Sequence, residues 1–254
     1  MGNQEVVVDG RMQPRHAQLN WTASDWFYLG WQWHRRVAAY LDIHNPTCKP
    51  GDTWANLSPS ASRVLLPTVE DSIRAEGGEG MDLSEIAVRI EFSLPMEEGE
   101  ESVGASVIDC YCNCLHLKPS HADACMNLAT FVNQLQFDRF NFHGRIFTVE
   151  EIFRQAVQVA PRNVNAWKLL ALFLWKKKDD LCGAKRCYIR LMQMRSETSD
   201  VVSALQLILD AEEAIQVQQE WYPDRVRVMR NDWSEGLMRI PNSSLDPGSG
   251  YQFP

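Results

Sequence analysis

Apolar side chains recur at helical spacing along two stretches of this chain, and the spacing is lost between them. The first stretch reads Trp26, Leu29, Gly30, Trp33, Val37, Tyr40, Leu41, a single apolar face. Ser24 and Asp25 stand where an N-cap and a first-turn acid belong. Pro46 sets the far limit, because the residue before a proline is steered out of helical geometry. Trp21, Trp26, Trp31 and Trp33 crowd this segment. They predict either a helix packed on the body of the protein or an aromatic surface for a partner. Residues 1–20 lack periodicity and are expected to form a mobile arm. Residues 46–68 carry several prolines and Ser/Thr and predict a long loop, pinned by Trp54, Leu57, Val64, Leu65 and Leu66. A short helix is expected over 69–75.

The second stretch predicts helices over 105–116, 122–135, 150–159, 164–177, 181–194 and 200–219. Thr148 with Glu151 forms a capping box ahead of the third of these. Phe137, Phe140, Phe142 and His143 lie in a connection at 136–145, which either wraps back on the helices or is presented to a partner. The last helix places Val201, Ala204, Leu205 and Ile208 on one side and Asp210, Glu212 and Glu213 on the other, as a terminal capping helix requires. Residues 222–254 bring Pro223, Pro241, Pro247 and Pro254 and predict an extended tail.

Within the second stretch a set of offsets occurs twice. One copy is Tyr111, Cys114, Leu117, Pro119, Cys125, Leu128, Ala129; the other is Phe153, Ala156, Val159, Pro161, Trp167, Leu170, Ala171. The two prolines are 42 residues apart, and the extra residues fall in the aromatic connection. Such a recurrence marks an internal repeat. It resembles the tetratricopeptide repeat family, in which paired helices carry an aromatic, a Leu-Ala/Gly pair, then a small–aromatic–small pattern and a proline. Trp167, Leu170, Ala171 and Leu174 match the first helix, and Ala184, Tyr188 and Leu191 match the second with one residue inserted in the turn. The resemblance covers 106–192 and, more loosely, 81–221. It implies an all-α solenoid of antiparallel helix pairs over 81–221, with 21–80 packed on it. A repeat needs a first helix before 106–117, so 81–94 is assigned to a helix, although Ile86, Val88, Ile90 and Phe92 also alternate as a strand would.

The resemblance also implies a concave surface lined by the first helices. On it would stand Asp123, Met126, Thr130 and Asn133, then Asn165, Lys168, Leu172 and Trp175, then Asp200, Ser203, Leu207 and Asp210. Members that bind chaperone C-termini hold a carboxylate there with Lys, Arg and Asn. Only Lys168 and two asparagines stand at these positions here, whereas Met126, Leu172, Leu207 and Trp175 suit an apolar extended or helical peptide. The implied role is a non-catalytic scaffold or adaptor in a larger assembly, cytoplasmic, with the cilium among the settings such repeats occupy.

Composition and chemistry narrow this further. Net charge is −8 with no long basic run, which disfavours sequence-independent nucleic-acid binding. No apolar run approaches the roughly 20 residues of a membrane span, and no secretory leader is expected from the first residues. Cys110, Cys112 and Cys114 invite a metal reading, but residues two apart on a helix diverge by about 200°, so free buried thiols are expected. No metal, cofactor or small-molecule substrate is indicated, and no catalytic motif occurs. Two other readings stay open: a catalytic cleft between 1–80 and the repeats near His34, His44 or Glu70, and a tail that fills its own groove.

Overall fold

The computed structural model describes residues 8–10, 19–50, 57–75, 90–94, 103–142, 145–194 and 199–221. Among these the chain runs β1 (Val8–Gly10), α1 (Ala23–Leu41), α2 (Pro59–Ser62), α3 (Val69–Ala75), β2 (Phe92–Leu94), β3 (Val103–Ala105) and α4 (Val107–Leu117). It continues α5 (Ala122–Gln134), β4 (Arg139–Phe142), β5 (Arg145–Thr148), α6 (Val149–Val159), α7 (Val164–Lys176), α8 (Leu181–Gln193) and α9 (Ser199–Trp221). Contacts divide it into two compact units that meet in sequence at Leu169 and Leu170. The expected tail at 222–254 and most of the predicted helix at 81–94 lie outside the described residues.

In the first unit the N-cap of α1 is Thr22, not Ser24, and Asp25 stands in the first turn as expected. Thr22 accepts from the Asp25 amide at 3.2 Å, and the Asp25 carboxylate accepts from the Thr22 amide at 2.8 Å. Asp25 thus serves as the reciprocal partner, which satisfies two orphan donors of the first turn at once. The helix ends on Asp42 in the left-handed conformation, φ 53°. Its buried face carries Trp26, Phe27, Leu29, Gly30, Trp33 and Val37 and packs against α4. Gly30 permits the close approach, since a Cβ there would sit 2.8 Å from Cys110 Cβ. Among the described residues α1 is thus the helix that pairs with α4.

The last residues of the segment expected to hold a helix form a strand. Phe92–Leu94 pairs antiparallel with Val103–Ala105, Phe92 opposite Ala105 and Leu94 opposite Val103. Phe92 and Leu94 are buried and Ser93 is exposed, the alternation of a strand over these three residues. Trp33 fixes the entry to the strand by donating its indole N–H to the Ile90 carbonyl at 3.2 Å and meeting Phe92 edge-on.

The second pair is α5 on α6. Between them the predicted loop is a hairpin, β4 antiparallel to β5, and Val8–Gly10 adds to β4 in parallel. The arm expected to be mobile thus contains a paired strand. Phe140 and Phe147 stack at 5.7 Å and are buried, so the aromatic connection wraps back on the body through these two rings. Thr148 and Glu151 form the capping box that their spacing predicts.

Polar contacts tie down residues 57–67, while Trp54, expected as an anchor, lies outside the described residues. Ser58 donates its amide to Asp25 Oδ1 at 2.8 Å, Trp21 donates to Ser60 Oγ at 2.9 Å, and Arg36 donates to the carbonyls of Leu66 and Pro67. Leu65, expected to anchor the loop, is 91 % exposed.

In the second unit α8 packs on α9, and Lys185 pairs with Glu212 across them. Asp180 caps α8 by accepting from the Gly183 amide at 2.8 Å. Leu181, Ala184, Cys187, Tyr188 and Leu191 form its buried face.

Candidate functional site

The repeat-pattern residues line the cores of their units. Tyr111, Cys114, Leu128, Ala129, Phe153 and Ala156 are buried in the first, and Leu170, Ala171, Ala184 and Tyr188 in the second. Pro119 and Pro161 sit at turns, and Trp167 is half-buried, donating its indole N–H to the Pro161 carbonyl at 3.0 Å.

The expected groove residues divide sharply by exposure. Leu172 (44 %) and Leu207 (55 %) are exposed, as are Asn165 and Ser203, while Asn133, Lys168 and Trp175 are half-buried. Met126 and Thr130 are buried. Met126 is not an open wall: its Sδ lies 4.0 Å from Cys48 Sγ, because the chain beyond α1 folds over this part of α5.

What holds that segment is Asn127, a residue to which the sequence reading gives no role. Its Oδ1 accepts from the Cys48 amide at 3.0 Å and from Thr47 Oγ1 at 3.3 Å, and its Nδ2 donates to the Cys48 carbonyl at 2.9 Å. The available signal was a carboxamide flanked by Met126 and Leu128 in an otherwise apolar helix, since a buried polar group must find partners.

Asn127 belongs to a longer polar chain. The Tyr111 hydroxyl is raised well above its usual range by burial, with the nearby Cys110 adding and a hydrogen bond with Asn127 opposing. The same hydroxyl lies 3.1 Å from His34 Nδ1, and the His34 ring meets Phe131 edge-on at 4.6 Å. Burial lowers the His34 pKa to about 3, so the imidazole is neutral. His34 is a packed core histidine, whereas His44 and Glu70 are exposed, so these three do not converge on a cleft.

All seven cysteines are free; Cys182 is exposed and the rest are buried. Burial pushes the Cys48 and Cys125 thiols up to about 12, which leaves them uncharged and weak as nucleophiles. No group of His, Cys, Asp or Glu among the described residues could hold a metal ion. No helix among them is long and apolar enough to cross a membrane.

Packed helix pairs with a recurring core pattern define the class as an all-α helical repeat fold. No family model matches the chain. No curated protein matches it either. Among solved structures it is similar to the first TPR of Spaghetti (RPAP3) bound to HSP90 peptide SRMEEVD, at 20 % identity and a TM-score of 0.34, covering 42 % of this chain and 78 % of that one.

Proposed function

We propose that this chain is a tetratricopeptide-like interaction module, a non-catalytic scaffold or adaptor subunit that binds an apolar segment of a partner protein. The observation that carries the proposal is the exposure of Leu172 and Leu207. Their neighbours Leu170, Ala171, Phe173 and Leu174 on α7, and Val201 and Ile208 on α9, are buried, so each helix has a packed face and keeps aliphatic side chains outside it. Val202 and Leu209 are also exposed on α9. A surface that keeps several aliphatic side chains in water, on helices of this repeat pattern, suits an apolar ligand.

The test is affinity capture from cell extract with the wild type and with Leu172→Glu, Trp175→Glu. A protein partner held by the wild type and lost by the variant, with helical circular dichroism unchanged, is the expected result. Identical partners on both proteins would overturn the reading. The catalytic alternative gains nothing from its nominated residues, given where His34 lies.

A further inference from the structure

We infer that this chain binds a second copy of itself head to tail. Leu65, with Arg36 and Arg63 close by, seats on the acidic outer face of α9 around Leu207 and Leu209 of the next copy. The inference rests on the reading of α9 as a partner surface and names the partner.

Leu65 is 91 % exposed, and the next most exposed large apolar residue among those described is Leu207 at 55 %. A single leucine on a surface is ordinary, but this one is fixed there. Arg36 Nη1 donates to the carbonyls of Leu66 and Pro67 at 2.6 and 2.7 Å. On the other side the Val64 amide donates to the Ala61 carbonyl at 3.3 Å. The backbone is thus held on both flanks of Leu65, so the side chain is presented to solvent and does not fold back. A segment ordered before contact loses less entropy on binding. Arg36 and Arg63 are both exposed. On α3, which follows directly, Asp71 is engaged by Thr68 at 2.6 Å and Arg74 at 3.4 Å, and Glu70 is exposed. Exposed cations therefore outnumber the open carboxylate along this segment.

The matching surface is α9. Val201 and Ile208 are buried, whereas Val202, Leu207 and Leu209 are 48, 55 and 38 % exposed. Asp200, Asp210 and Glu213 are exposed as well, and no Lys or Arg occurs from Ser199 to Trp221. Asp210 lies three residues beyond Leu207 and Glu213 four beyond Leu209, so each leucine has an acid one helical turn away. Asp210 accepts from Gln206 at 2.8 Å, a neutral donor that leaves its charge in place. A basic aliphatic knob and an acidic aliphatic face complement each other in apolarity and in charge; the charge fixes which surface meets which. The two surfaces differ, so the contact is heterologous, and every copy keeps one of each kind for its neighbours.

The experiment is sedimentation velocity on the full chain. Between about 5 and about 200 μM the weight-average mass of the wild type is expected to rise at least about 1.5-fold above that of the monomer. A wild type that stays monomeric across this range overturns the inference, and that arm needs no variant. Leu65→Glu, and separately the pair Leu207→Gln, Leu209→Gln, should each abolish the rise. All three positions are exposed, so helical circular dichroism should be unchanged. The decisive arm mixes these two variants. One keeps the α9 face and the other keeps Leu65, so together they should form a 1:1 dimer that neither forms alone. A mixture that stays monomeric overturns the head-to-tail contact, and so does self-association that survives Leu65→Glu. Arg63→Glu should weaken association at least about threefold, and an unchanged affinity would remove the charge match. If the chains stay monomeric while Leu172→Glu, Trp175→Glu still loses a captured partner, the self-contact falls and the module reading stands. If the mixed dimer forms while capture returns identical partners, the self-contact stands and the module reading falls.

Discussion

At the scale of single residues, His34 shows how burial turns a titratable side chain into a structural one. Its ring is enclosed by Tyr111 and Phe131, and burial holds its pKa near 3. An unfolded histidine titrates near 6.5. Between those values the unfolded chain binds a proton that the folded chain refuses, so stability rises with pH across this window. The contribution is complete above about pH 6.5 and is lost as the pH falls towards 3, with a slope of up to about 1.4 kcal/mol per pH unit. His34→Gln retains a hydrogen-bonding group for Tyr111 and removes the titration. Urea unfolding at several pH values should therefore show a steeper acid loss in wild type than in the variant, and parallel curves would contradict the assignment. Asn127 carries a related lesson. A buried carboxamide announces that partners exist, but its partners stand 79 residues away, and nothing local to 127 names them.

At the scale of elements, the helices were legible because they rest on local physics: apolar faces at a period of 3.6 and caps within three residues. The capping box at Thr148 follows from spacing alone. At the start of α1, Thr22, Ser24 and Asp25 all offer cap chemistry, and reciprocity decides, because only Thr22 and Asp25 stand three apart. The segment ending at Leu94 was ambiguous for the opposite reason. Its alternation is clear, but a strand needs a partner, and Val103–Ala105 supplies it. How closely two elements approach is the further property fixed at this scale. Gly30→Ala should gain about 1 kcal/mol of helix propensity but drive a methyl group to 2.8 Å from Cys110 Cβ, a backbone-anchored atom that cannot swing away. Overpacking of this kind costs about 1–3 kcal/mol, so a net loss of roughly 1 kcal/mol is expected in chemical denaturation. A stabilised variant would show that α1 and α4 have slack.

At the scale of the whole chain, α1 is the helix that pairs with α4. It contributes Trp26, Phe27, Leu29, Trp33 and Val37 to the core of the first unit. Deleting residues 1–45 exposes the matching face of α4, including Val107, Ile108, Cys110 and Tyr111. The melting temperature should fall by at least about 10 °C, since each kcal/mol moves it by roughly 2–4 °C in chains of this size. An unchanged transition would remove α1 from the core. The second unit poses the complementary question, because its helices leave Leu172 and Leu207 exposed.

By itself the sequence determined the helical class, the recurring core pattern from Tyr111 to Tyr188, most helix boundaries and the burial of the cysteine cluster, because each depends on periodicities and caps a few residues long. Tertiary structure alone decided which helix pairs with α4, that Phe92–Leu94 is a strand, that Val8–Gly10 joins β4, and that Cys48 covers Met126. Each of these is a pairing across a long interval of chain, such as the 77 residues between His34 and Tyr111. A local pattern specifies a surface to be buried and leaves its partner open; only the collapse of the whole chain chooses among the candidates.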